Sequence, residues 1–188
     1  MARRRPKLGE IVRWTNKAIA FDVCPKYTGW CIYDLDSEGY LDCGAFIHGG
    51  TTAQKIEGFK RKLHHFISTF RPYYIITEDT PSIVKYKGVY TSRLFGVLEG
   101  YLMTVEEDRL VYSISKEEWR PSHDRGKTVE RMEIMLPDRE YWCRPEGMSI
   151  SVIDACGMLD WWVFKVFERL PHSVRLKAIP SSFEKGIT

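Results

Sequence analysis

The alternation of apolar and polar positions divides the chain into strands and helices with little ambiguity. Ala18–Val23 is apolar on both faces except for Asp22 and reads as a central strand. Trp30–Leu35 and Leu41–Ile47 are two further strands, and Asp36-Ser37-Glu38-Gly39 supplies turn chemistry between them. The three predict an antiparallel meander. From Thr52 to Phe70 the period changes to that of a helix, with Ile56, Phe59, Leu63, Phe66, Ile67 and Phe70 on one stripe and Arg71-Pro72 as the stop. Tyr73–Thr77 is a short strand that ends in Glu78-Asp79 and is broken by Thr80-Pro81. Thr91–Glu106 has helical spacing, Leu110–Ile114 is a strand and Lys127–Met135 a short helix. Pro137–Ser149 reads as a loop, and Ile150–Arg169 as a long apolar helix.

This order, βββ-α-β-α-β-α-α, predicts a mixed α/β sheet with helices on its faces. The helix Thr52–Phe70 is long enough for a right-handed crossover, which would set Tyr73–Glu78 parallel to Ala18–Val23. With 188 residues the chain fits one domain of ordinary size, and 44% hydrophobic residues allow a real core. The division is a basic arm over 1–16, a body over 17–170 and a tail over 171–188. No apolar run is long enough for a transmembrane helix, and no secretory signal is expected. The five cysteines form an odd set with no Cys-x-x-Cys. They point to reduced thiols in a cytoplasmic compartment rather than to disulfides or a zinc ribbon. The net charge of +3 is uneven: residues 1–17 carry +5, so the remainder carries −2. A basic arm on a near-neutral body suits a polyanionic partner, and a solvated tail would look the same.

Asp22 has no evident structural reason to end an apolar strand, because an unpaired buried charge is costly. Glu78 ends a second strand in the same way, and Asp154 interrupts the apolar run of the last helix. Parallel neighbours bring their C-terminal ends together, about 5 Å apart, at the edge where open α/β sheets bind ligands. Each acid has a plainer reading alone. Asp22 can be a turn residue, Glu78 can pair with a surface lysine, and Asp154 can be an acid near a helix start, favoured by the macrodipole. Together, three carboxylates without His or Cys partners form an all-oxygen set suited to Mg²⁺ or Mn²⁺. Two such ions, about 4 Å apart, can activate a water and stabilise the leaving oxygen in phosphodiester cleavage.

Asp22 followed by Thr28-Gly29-Trp30 resembles the first motif of RuvC-type Holliday junction resolvases. Tyr74-Ile75-Ile76-Thr77-Glu78-Asp79 resembles their second acidic strand, and Ile153-Asp154-Ala155 the Ala-Asp-Ala of their last helix. The resemblance spans about residues 18–168, and its divergence points to a phage or viral relative. It implies a ribonuclease H-like fold with a mixed five-stranded sheet flanked by helices. It further implies an Mg²⁺-dependent endonuclease, with Mn²⁺ as a substitute, that resolves four-way DNA junctions by paired symmetric nicks in a bacterial or phage-infected host cytoplasm. Asp22, Glu78 and Asp154 would be both the catalytic residues and the ligands of two metal ions. Many members have Asp or His three residues before the helix acid, where this chain has Ser151, and Cys24 stands where Gly is frequent. Asp160 lies about 240° around the helix from Asp154 and reads as structural. Asp79 faces away from Glu78 across the sheet. The family usually acts as a homodimer, and Gly96 and Gly100 would share a helix face open to close approach.

Residues 83–93 alternate bases with aromatics just after Glu78. Lys85, Lys87 and Arg93 are expected to neutralise phosphates there, and Tyr86 and Tyr90 to stack on an unpaired base. A solvated loop has the same composition. The segment after Leu110–Ile114 holds Lys116, Arg120, His123, Arg125, Lys127 and Arg131, interleaved with Glu117, Glu118 and Asp124. The resemblance makes Lys116, Arg120 and Lys127 the expected phosphate contacts, with a surface ion-pair network as the competing reading. His64 and His65 have no ligand partners at useful spacing. Three other functions compete: a junction-binding protein of this fold that no longer cuts, a nuclease for other branched DNA or structured RNA, and a sugar-kinase-like ATPase. The last needs two such domains, and the chain is short for that.

Overall fold

The structure, a computed structural model, describes residues 15–24, 26–78, 96, 100, 110–136 and 146–169. Five strands form one sheet: β1 (Thr15–Val23), β2 (Tyr27–Asp34), β3 (Gly39–Ile47), β4 (Pro72–Glu78) and β5 (Leu110–Ile114). Their order is β3-β2-β1-β4-β5. β1, β2 and β3 form the expected antiparallel meander. β4 lies parallel to β1, and β5 parallel to β4. The mixed α/β sheet expected from the pattern is therefore the one observed.

The strands' two-residue period sorts side chains onto two cores. Ile19, Phe21 and Val23 join Ile32 and Ile75 against α1 (Thr52–Phe70), through its Phe59, Leu63 and Phe66. Ala18, Ala20, Cys31, Tyr33, Tyr74 and Ile76 face the other side, where α4 (Glu146–Lys165) buries Val152, Ala155, Cys156, Leu159 and Trp162. By the same alternation Asp22 and Glu78 belong to the α4 side. Thr51 caps α1 with a full capping box to Gln54, and Arg71 ends it in the left-handed region at φ 49°.

Several boundaries differ from the sequence expectation. β1 begins at Thr15, three residues before Ala18, because the Thr15 hydroxyl donates to the Phe70 and Arg71 carbonyls at 2.7 and 3.0 Å. β2 begins at Tyr27, three residues before Trp30, so Thr28-Gly29 is strand rather than loop. The turn is tight because the Cys24 N–H donates to the Tyr27 carbonyl at 3.0 Å. β3 begins at Gly39 rather than Leu41. A one-turn helix, α2 (Lys116–Trp119), was not foreseen. It leads through a 3₁₀ turn, Arg120–Ser122, into α3 (Arg125–Met135), which starts two residues before the expected Lys127 because Asp124 caps it.

The largest shift is in α4. It starts at Glu146, inside the expected Pro137–Ser149 loop, and ends at Lys165, with a 3₁₀ turn over Phe167–Arg169. Asp154 thus sits eight residues into the helix, beyond the first turn where the macrodipole acts. Of the expected helix Thr91–Glu106 only Gly96 and Gly100 are described; both are helical and exposed. The arm and tail lie outside the described residues, save that Thr15 and Asn16 are part of β1. Among the described residues no helix is long and apolar enough to cross a membrane.

Candidate functional site

Asp22 and Glu78 end adjacent parallel strands. The last paired residues are Phe21 and Thr77, and each acid is the next residue of its strand. Across β1 on the other side, Asp22 is paired with Gly29. A Cβ at Gly29 would collide with the Ser151 carbonyl and the Val152 amide. That contact lets α4 settle on β2 backbone to backbone, which carries Asp154 down to the same sheet edge. The glycine of the Thr-Gly-Trp sequence thus has a mechanical role in assembling the site.

The three acids differ in their surroundings. Asp22 is 8% exposed, and its near partner is the Cys24 thiol, 3.9 Å from Oδ2. Burial, with the charges of Asp154 and Glu78, pushes its carboxyl up to about 7; the Ser151 hydroxyl and Arg120 act in the opposite direction. Glu78 is half-buried and is also raised, chiefly by burial. Arg120 and Lys116 draw it back, and the Trp119 indole offers relief short of a full hydrogen bond. Its Oε2 is buried with no partner among the described residues.

Asp154 is 1% exposed and is enclosed by cations. Arg125 grips it bidentately, Nε to Oδ1 at 2.8 Å and Nη2 to Oδ2 at 2.7 Å. Arg120 Nη2 donates to Oδ2 at 3.2 Å, and His123 Nε2 stands 3.5 Å from Oδ1. Despite burial, these partners hold the Asp154 carboxyl below its ordinary value. His123 packs against Trp119, with ring centroids 5.0 Å apart and planes tilted by 51°, and lies over Gly157, where any Cβ would strike the ring.

The site therefore contains an unfilled acceptor and unfilled donors side by side. Glu78 Oε2 has no donor among the described residues, and Arg120 Nε, Trp119 Nε1 and His123 Nε2 are likewise buried without a hydrogen-bond partner among them. Hard oxygen donors with raised pKa values suit a divalent cation, which would remove their mutual repulsion. Asp22 and Glu78 fit such an ion. Asp154 fits it only once Arg125 releases an oxygen, and among the described residues no three His, Cys, Asp or Glu side chains already form a metal-holding group.

The remaining expected residues fall in different places. Lys116 is close enough to Glu78 to affect its charge. Arg120 is at the site itself. Lys127 is on the exterior, with 77% of its side chain exposed, and pairs with Asp124 at 3.9 Å, which is the surface pairing weighed against a phosphate contact. Lys85, Tyr86, Lys87, Tyr90 and Arg93 lie outside the described residues, as does Asp79. Ser151 is buried and donates to Cys24 Sγ at 3.8 Å. Asp160 is fixed by the Tyr40 hydroxyl at 2.6 Å and Arg131 at 2.7 Å, away from the acids. His64 and His65 are exposed on α1. Sequence reasoning missed Arg125 and His123 as neighbours of Asp154, although both stood in the basic segment it singled out.

No family model and no curated protein matches the sequence. Solved structures do. RuvC of T. thermophilus in complex with a Holliday junction substrate aligns with a TM-score of 0.59 at 10% identity, over 79% of this chain and 96% of that one. Another Thermus thermophilus RuvC structure gives 0.55 at 11%, over the same shares. The yeast mitochondrial Holliday junction resolvase gives 0.58 at 11%, over 79% of this chain and 78% of that one. The chain has the RuvC-type, ribonuclease H-like fold.

Proposed function

We propose that the chain is a divalent-metal-dependent, structure-selective endodeoxyribonuclease that resolves four-way DNA junctions by paired symmetric nicks, acting as a homodimer in a reducing cytoplasm. The observation that carries this reading is the adjacency of Asp22, buried, and Glu78, half-buried, at neighbouring strand ends, both raised in pKa and one with an oxygen unpartnered among the described residues. The fold shared with two kinds of junction resolvase supports the choice of substrate. Asp22, Glu78 and Asp154 would hold Mg²⁺, or Mn²⁺ in its place. Bound there, the ions would supply an activated water and charge stabilisation for the leaving oxygen.

The chain's own groups have complementary work. Arg120 brings buried N–H donors to the acids and is suited to orient a phosphodiester. Lys116 adds positive charge beside Glu78. The packing of Trp119 against His123 fixes the imidazole beside Asp154. The basic arm and residues 83–93 would add phosphate contacts and base stacking outside the cleavage centre.

The test offers purified protein a synthetic four-way junction, a matched duplex and a single strand with Mg²⁺. Cutting confined to the junction, at symmetric positions, supports the proposal; equal cutting of all three contradicts the selectivity. A second reading, a junction-binding protein that does not cut, is favoured by the guanidiniums that occupy Asp154 and by Ser151 in place of a fourth acid. Tight junction binding without cleavage in either Mg²⁺ or Mn²⁺ would establish that reading instead.

A further inference from the structure

Asp154 has its oxygens covered by arginine at the point where a cation must arrive. Its carboxylate is 2% exposed, whereas the Arg125 side chain that grips it is 46% exposed and the Arg120 side chain 36%. The guanidinium of Arg125 is thus a plug, with one side on the buried acid and the other facing solvent. A cation entering from solvent meets like charge first. Arg125 is the first residue of α3, fixed by the Asp124 cap, while Asp154 belongs to α4, so the plug joins two elements and is not a property of one helix. Asp22 and Glu78 have no such gripping guanidinium among the described residues; Arg120 and Lys116 offset their repulsion only in part.

We propose that Arg125, assisted by Arg120, is a resident counter-ion of Asp154 that a phosphodiester draws away, so that nucleic-acid binding opens the third carboxylate to the metal. This rests on the metal-dependent reading above. The forked guanidinium binds a phosphate as readily as a carboxylate, and a phosphodiester at the mouth of the site offers Arg125 a partner on its exposed side. The Nε of Arg120, unpartnered among the described residues, gives the same anion a second donor. Free protein would hold metal weakly and without commitment, and substrate would complete the site. Arg125 in this scheme is a positioning residue that acts through Asp154. Such coupling is reciprocal: metal on Asp154 frees Arg125 and must tighten phosphate binding by the same factor.

The measurement is a Mn²⁺ titration of the free protein, read by electron paramagnetic resonance without DNA. Arg125→Gln should bind Mn²⁺ about tenfold more tightly than wild type, within the usual range of coupling between sites. Arg125→Lys, which keeps the charge and loses the fork, should fall between them. Asp154→Asn added to Arg125→Gln should abolish the gain. General damage to the fold would weaken Mn²⁺ binding, so a rise cannot come from it. Unchanged or weaker binding in Arg125→Gln overturns the plug while leaving the metal site standing. If folded wild type and folded Arg125→Gln both fail to bind Mn²⁺ at millimolar concentration, the metal reading falls and takes this one with it.

Discussion

Gly29 lies against the backbone of Ser151 so closely that no side chain fits between β2 and α4. This close approach sets the depth at which α4 meets the sheet, and so the position of Asp154 relative to Asp22. Gly29→Ala must push the helix off the strand. Overpacking against side chains costs about 1–3 kcal/mol, and backbone yields less, so a loss of about 3 kcal/mol is expected by denaturant unfolding. Gly39→Ala meets only the Ser37 carbonyl, at 3.9 Å, and should stay within about 0.5 kcal/mol of wild type. Equal effects of the two would show that close approach at Gly29 does not set the packing.

His48 gives a pH dependence of stability. It is buried beside Phe46 and Phe59, it shares a 2.8 Å hydrogen bond with the Thr28 hydroxyl, and burial lowers its pKa to about 4. Between its ordinary value of 6.5 and that value the unfolded chain binds the proton and the native one does not. Its contribution is therefore full above pH 6.5 and is lost as pH falls towards 4. Thermal melts should show wild type losing stability relative to His48→Gln across this window; the difference is the readout, because the raised Asp22 carboxyl acts with the opposite sign there and is common to both proteins. Parallel curves would remove His48 as the cause.

Tyr40 and Asp160 test the division between structural and catalytic acids. Tyr40→Phe removes the 2.6 Å hydrogen bond and leaves a buried carboxylate oxygen unsatisfied. About 1–3 kcal/mol of stability should go, while cleavage at a temperature where the variant is folded should remain. Lost cleavage in a well-folded Tyr40→Phe protein would move Asp160 into the active machinery.

Lys116 and Lys127 are expected to neutralise phosphates of the junction. Replacing either by Ala should weaken junction binding and reduce the slope of log K against log salt by about 0.9 for each phosphate no longer neutralised. Unchanged slopes would leave Lys127 with only its surface partner Asp124.

The sheet and the placement of Asp22 and Glu78 at neighbouring strand ends were legible because each depends on a short-range rule. Period-two alternation places Asp22 and Glu78 on one face, and the crossover rule makes their strands parallel. The start of α4 was not legible, since Gly147 and Ser149 are poorer helix formers and interrupt the pattern ahead of the apolar run. Thr28-Gly29 read as loop because glycine weakens a strand, whereas here it admits another backbone. The Arg125–Asp154 pair, 29 residues apart, depends on how α3 packs against α4, which no local pattern encodes. The run of basic residues after β5 was the available signal, and it did not say which of them turned inward.

The central claim is that Asp22 serves in a metal site that cuts branched DNA. The most direct measurement is cleavage of a four-way junction in Mg²⁺ by wild type and by Asp22→Asn, with junction affinity measured alongside. The account predicts symmetric nicks by wild type and a loss of about a thousandfold or more in Asp22→Asn, as when groups acting as one catalytic unit are broken, with binding retained. Cleavage by Asp22→Asn at the wild-type rate would contradict it.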